Sequence, residues 1–260
     1  MNAVKIILAR VFAAWAILLF VGTMLVILIP VWLLGLLSEP LRTDIFIRIS
    51  RAWMGVFLPL SGCPLRIYGK HHFKKGQNYI VVCNHNAMMD VPISSPGIPG
   101  ANKTIAKKEM ADLPLFGIIY KRGSVLVDRK SDESRAKSYE AMKQVLAMGM
   151  HMCIYPEGTR NRTDKPLKEF KDGAFRLAIE TGKPIIPGII VNTRKVMPAS
   201  RFFYFWPTPL SFHFLPPIPT QHLNMHDVQI LKQQVYHTMY TFIESKGIVT
   251  EQNCKKSDSC

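Results

Sequence analysis

The sequence lacks the groupings that would make a disulfide scaffold, a zinc site or a serine hydrolase. Its five cysteines, Cys63, Cys83, Cys153, Cys254 and Cys260, stand singly, with no CxxC pair and no even framework. That argues for a reducing compartment. Cys83 and His85 flank Asn84, and His71 and His72 lie nearby, but no second ligand pair has zinc-like spacing, so no metal is expected. No GxSxG elbow occurs and no cysteine has a convincing histidine partner, which argues against hydrolases that work through an acyl-enzyme. Acidic residues are few: 18 Asp and Glu against 33 Lys and Arg leave a formal net charge of +15. Such an excess draws a chain toward polyanions. The basic residues lack the aromatic interleaving of a single-strand binder, so nucleic acid is not expected as a partner and anionic lipid is favoured.

Charge is absent altogether from Val11 to Leu37, about 27 residues, where roughly 20 apolar residues suffice to cross a hydrocarbon core. A cleaved signal would have a shorter apolar region and a small-residue site, which Leu36-Leu37-Ser38-Glu39-Pro40 does not offer. Gly22 and Pro30 are points where this helix can bend. From Thr43 to Leu60 a second apolar run carries Arg42, Arg48 and Arg51 at its start and within it. Those arginines are expected to snorkel to anionic head groups. Positive charges are more numerous after the first run than before it, which places the remainder of the chain on the cytoplasmic side of an inner membrane.

Beyond Gly62, short β-branched runs alternate with longer amphipathic ones, the pattern of an α/β fold with a mixed central sheet flanked by helices. Strands are expected at Leu65–Tyr68, Tyr79–Cys83, Thr104–Ala106, Val125–Val127, Met152–Tyr155, Ile185–Val191 and Leu210–Leu215. Helices are expected at Ser131–Met150, Phe170–Glu180 and Asp227–Ser245. The resulting organisation is a two-helix membrane anchor over residues 1–62, a catalytic domain over 63–250 and a disordered tail over 251–260.

Four segments carry chemistry-bearing residues. A strand runs directly into Asn84-His85-Asn86-Ala87-Met88-Met89-Asp90. On a continuous helix His85 and Asp90 would stand some 140° apart at about 100° per residue. With His85 in the turn and Asp90 on the first helical turn, the carboxylate can curl back to one imidazole nitrogen, fix the tautomer and raise the basicity of the other. Gly123 opens an apolar strand that ends at Asp128-Arg129, where Arg129 can fork a phosphate or simply pair with Asp128. Tyr155-Pro156-Glu157-Gly158-Thr159-Arg160 also follows an apolar strand. Gly158 permits close backbone approach, Thr159 offers a hydroxyl and Arg160 a second fork. Glu157 is suited to a substrate hydroxyl or to holding the arginines, since a carboxylate facing phosphate would repel it. Lys183-Pro184-Ile185-Ile186-Pro187 reads either as a pocket wall or as edge-strand punctuation.

In this order, from about Tyr79 to Pro187 and including Phe170-Lys171-Asp172-Gly173-Ala174-Phe175, the segments resemble the glycerolipid acyltransferase family. The resemblance implies that His85 is the base and Asp90 its orienting partner. It implies that Arg129, in a motif beginning at Gly123, and Glu157, Gly158, Thr159 and Arg160 bind the acceptor, and that Pro187 closes a fourth motif. It further implies acyl transfer from acyl-CoA or acyl carrier protein to the sn-2 hydroxyl of lysophosphatidic acid in a membrane, giving phosphatidic acid for phospholipid synthesis, with no resident cofactor. Ile185 stands where the family often has valine, a mild departure.

Overall fold

The computed structural model describes residues 3–128 and 131–248; the expected tail lies outside them. Seven strands among the described residues form one sheet: β1 (Leu65–Tyr68), β2 (Ile80–Cys83), β3 (Asn102–Lys107), β4 (Ser124–Val127), β5 (His151–Ile154), β6 (Ile185–Val191) and β7 (Leu210–Phe214). Their order is β1-β7-β6-β2-β5-β3-β4. Only β6 and β7 pair antiparallel. Each strand falls where the alternation of residues places it, within a residue or two at the ends.

The helices are α1 (Ala3–Leu33), α2 (Leu41–Leu60), α3 (Asp90–Gly97), α4 (Phe116–Gly123), α5 (Asp132–Ala147), α6 (Gly173–Thr181), α7 (Thr193–Val196) and α8 (Val228–Ser245). The central strands β2, β5 and β6 are buried on both faces, as parallel strands covered by helices must be. Successive side chains alternate between two cores. Val81, Cys83, Ile186 and Ile190 pack on the side of α1 to α3. Ile80, Val82, Ile185 and Ile189 pack with residues of α5, α6 and α8. Local signals set the helix ends: the Ser131 side chain accepts from the Ser134 amide to cap α5, and Gly182 closes α6 at φ 61°.

α1 is long and apolar enough to cross a bilayer, and most of its surface is bare. It runs antiparallel to α2: Trp15 donates to the Leu60 carbonyl at 3.0 Å, and Trp53 donates to Thr23 Oγ1 at 2.8 Å. Phe20 joins the two through Trp53 and Phe57, at ring separations of 5.0 and 5.4 Å. The core under α1 and α2 is continuous with that under the sheet, so the expected boundary at residue 62 is a change of role within one packed body.

Of the arginines of α2, Arg51 departs from expectation. Arg51 donates to the carbonyls of Pro96 and Ile98 at 2.9 and 3.1 Å, satisfying the C-terminal end of α3. Arg42 pairs with Glu39 and Arg48 with Asp44. Glu39 also receives Lys103 of β3 at 2.8 Å. Burial alone would raise the Glu39 carboxyl, but hydrogen bonds from Lys103 and Thr43 outweigh it and hold the group down at about 2. These arginines therefore join the anchor to the domain and to itself.

Candidate active site

β2 and β5 are parallel neighbours, so the turns that follow them emerge side by side on one sheet edge, where sites of open α/β sheets form. After β2 the ladder is continued by a side chain. Asn84 donates to the Ile190 carbonyl and accepts from its amide, at 2.9 and 2.7 Å, which frees the backbone to turn away from the sheet. His85 then lies in the turn and Asp90 is the first residue of α3.

The imidazole Nδ1 of His85 is 2.9 Å from Asp90 Oδ2. The same carboxylate oxygen accepts from the backbone amides of Asn86 and Ala87 at 2.6 and 2.8 Å. Asp90 is fully buried. All three donors meet Oδ2, while Oδ1 is buried without a hydrogen-bond partner. An ionised carboxylate can only accept, so Nδ1 carries the proton and Nε2 is left with its lone pair. The ring lies against Tyr155, with centroids 4.4 Å apart and planes 27° from parallel, and the Tyr155 hydroxyl meets Ser94 Oγ at 2.6 Å. Burial pushes the Tyr155 phenol up, so it stays neutral beneath the imidazole.

Glu157 has a different task from the one its position in the sequence suggests. It is 2% exposed, and its two oxygens accept from the amides of His85 and Lys168 at 2.8 and 3.0 Å. Burial raises its carboxyl, opposed by those two amides. It thus ties the two turns together, and both of its oxygens are taken up by these amides. Asn161 adds a second tie, its amide donating to the His85 carbonyl at 2.6 Å.

Gly158 sits at φ 71°, where a side chain is strained and its Cβ would meet the Lys171 side chain at 2.8 Å. Thr159 is exposed, and its hydroxyl accepts from Lys168 Nζ at 2.8 Å. Arg160 is half-buried on the same turn. With Arg162, Lys165, Lys168 and Lys171 this stretch carries a dense positive charge beside the His85 turn. Arg129 lies outside the described residues. β4, which leads to it, stands three strands from β2, or about 14 Å at the usual inter-strand spacing.

Gly123 and Pro187 are not brought to the His85 turn. Gly123 ends α4, and a Cβ there would stand 2.6 Å from the Phe46 ring of α2, so it serves the packing of the anchor. Pro187 is buried inside β6 opposite Val82, and its carbonyl accepts from Leu215. β6 pairs with β2 on one side and β7 on the other, so the edge-strand reading of its motif does not hold.

Sequence reasoning missed Arg194. From α7 its guanidinium reaches the carbonyls of Thr163 and Asn161 at 2.8 and 2.9 Å and Asn86 Oδ1 at 3.3 Å. It bridges the cationic turn to the His85 turn. Partners more than 30 and 100 residues away leave no local spacing to read.

The arrangement offers an oriented base at the edge of a positive surface. The amides of His85, Asn86, Ala87 and Gly158 are all engaged within the turns, so none of them is free to meet a substrate oxyanion.

Residues 64–191 match the Acyltransferase family. The chain is 32% identical over 184 residues to human 1-acyl-sn-glycerol-3-phosphate acyltransferase alpha, covering 70% of this chain and 64% of that one. The match thus spans a little less than two thirds of that relative's length. A probable 1-acyl-sn-glycerol-3-phosphate acyltransferase of Mycoplasma pneumoniae is 29% identical over 195 residues, covering 68% of this chain and 72% of the other. The crystal structure of the 1-acyl-sn-glycerophosphate acyltransferase PlsC of Thermotoga maritima superposes with a TM-score of 0.74 at 19% identity, covering 94% of this chain and 97% of that one. That likeness establishes the fold.

Proposed function

We propose, from the match of residues 64–191 to the Acyltransferase family, that the chain transfers a fatty acyl group from a thioester to the sn-2 hydroxyl of 1-acyl-glycerol-3-phosphate, giving phosphatidic acid. The observation that carries the reading is the His85–Asp90 pair, held beside a cationic turn.

Nε2 of His85 takes the hydroxyl proton as the oxygen attacks the thioester carbonyl. The imidazolium so formed is stabilised by Asp90 Oδ2, and Tyr155 packed on its face restricts its rotation. When the tetrahedral intermediate collapses, the carbon–sulfur bond breaks and the proton passes from His85 to the leaving thiolate. General-base catalysis of this kind contributes about 10²–10⁴ in rate. The pair needs no metal or resident cofactor for these steps; acyl-CoA or acyl carrier protein enters as co-substrate.

The acceptor phosphate is held by Arg160 and the neighbouring lysines of the turn, with Arg129 as a further ligand. α1 places the site beside a membrane, where the acceptor's acyl chain stays in lipid. The net charge of +15 suits the anionic cytoplasmic face of an inner membrane. Purified full-length chain, given a panel of acyl donors and lyso-acceptors with products identified by mass spectrometry, should form phosphatidic acid from lysophosphatidic acid well ahead of its dephosphorylated counterpart, monoacylglycerol. Equal use of the two would remove the phosphate from the reading, and no thioester consumption would remove the reaction.

A further inference from the structure

We infer that residues 201–206 form a second membrane-insertion element, an aromatic loop that seats Phe202 and Phe203 in the lipid interface beside the N-terminal end of α1. This rests on the reading of α1 as membrane-embedded.

Arg201-Phe202-Phe203-Tyr204-Phe205-Trp206 places five aromatic residues in succession on a connection between α7 and β7. Surface turns favour Gly, Asn, Asp and Ser. Here Phe202 is 97% exposed and Phe203 43%. Phe203 also adopts φ 50°, a left-handed conformation that a bulky residue takes only when its surroundings hold it there.

The base of the loop is fastened to α1. The Phe205 amide donates to the Ala9 carbonyl at 3.2 Å, and the Phe205 side chain is buried. Trp206 meets Phe12 edge-on at 6.0 Å and lies 5.0 Å below Lys5 Nζ. Phe202 is three residues from Phe205, so its Cα lies at most about 11 Å from that fastening. The aromatic tip is bare while its foot is rigid.

The level at which it fastens identifies the occupant. Lys5 and Arg10 are the charged residues of α1 before the uncharged run from Val11 to Leu37, so the loop docks where the helix passes from charged to apolar. At that depth aromatic side chains are enriched in membrane proteins, with the ring in the acyl boundary and cations among the head groups. Val4, Ile7, Leu8, Val11 and Trp15 expose apolar surface on the same stretch of α1. Arg201, 4.9 Å from the Tyr204 ring, and Lys195 supply positive charge suited to anionic lipid. Lipid, continuous with that surface, is therefore the occupant in place of a protein partner.

The test uses the full chain with Cys254 and Cys260 replaced by serine and one new cysteine carrying an environment-sensitive fluorophore. Phe202→Cys reports the loop. Val26→Cys reports the bare face of α1, and Gln233→Cys, on α8 across the sheet, reports water. Each protein is reconstituted in phosphatidylethanolamine–phosphatidylglycerol vesicles with or without dibrominated acyl chains. The label at 202 should lose most of its emission to the brominated lipid, as the label at 26 does, while that at 233 keeps its own. Emission at 202 as unquenched as at 233, with 26 quenched, would overturn the loop and leave the α1 reading intact. Absence of quenching at 26 would overturn that reading and the loop with it.

Discussion

The turns after β2 and β5 are neighbours on one sheet edge, both with hydrogen-bonded backbones, yet one locks its side chains and the other presents most of its own to solvent. In the first, His85, Asn86, Ala87 and Asp90 are locked by hydrogen bonds between 2.6 and 2.9 Å. In the second, Glu157 is buried while Thr159, Arg162 and Lys165 are exposed and Arg160 and Lys168 half-buried. A base that must meet one proton gains from a single geometry. A phosphate presented from a fluid bilayer is met better by long cationic side chains free to adjust. The difference separates chemistry from recognition, and substitutions in the two turns should part accordingly.

The largest effect is expected in the fixed turn. His85→Ala should lower kcat by about 10²–10⁴ with little change in KM for the acceptor, measured by steady-state transfer. Glu157→Ala comes next. It orphans the His85 and Lys168 amides at a cost of about 1–3 kcal/mol each, so both the unfolding midpoint and kcat should fall, the first by several degrees in a thermal melt.

Arg160→Ala should act on the second turn alone. Losing one charge-assisted contact of about 1.5–3 kcal/mol should raise KM for the phosphorylated acceptor about tenfold or more while kcat holds. A fall in kcat with KM unchanged would erase the division between the turns. Arg194 bridges them, so Arg194→Ala should disturb both constants by about tenfold or less, with Arg194→Lys restoring part of the loss.

The smallest effect on activity concerns the scaffold under both turns. Burial, partly opposed by a hydrogen bond to the Pro99 carbonyl, holds the His151 imidazole down at about 4 against an ordinary 6.5. Its Nδ1 accepts from the Tyr79 amide where β2 begins. The unfolded chain therefore takes up this proton before the folded one does. The contribution is complete above pH 6.5 and is lost as pH falls from 6.5 toward 4. Thermal midpoints across that window should decline, and His151→Gln should flatten the decline.

Much of this was legible in the sequence because it is local. Strands such as Ile80–Cys83 declare themselves by uninterrupted apolar residues, and the pairing of His85 with Asp90 follows from placing one in a turn and the other on a helix start. The start of α3 was legible but its extent was not, because Pro92, Pro96 and Gly97 break its pattern; α4 was missed because glycine occupies two of its eight positions. The work of Glu157, Arg51 and Arg194 was hidden for another reason. Each satisfies backbone groups brought near only by the sheet order, and spacing along the chain carries no trace of that.

If Asp90 acts through His85, its loss should cost nothing once the imidazole is gone. The most direct measurement is a double-mutant cycle on kcat with His85→Ala, Asp90→Asn and the pair combined. The combined variant should be no slower than His85→Ala alone. Losses that multiply would show the carboxylate working independently, and the oriented base would not be what drives the reaction.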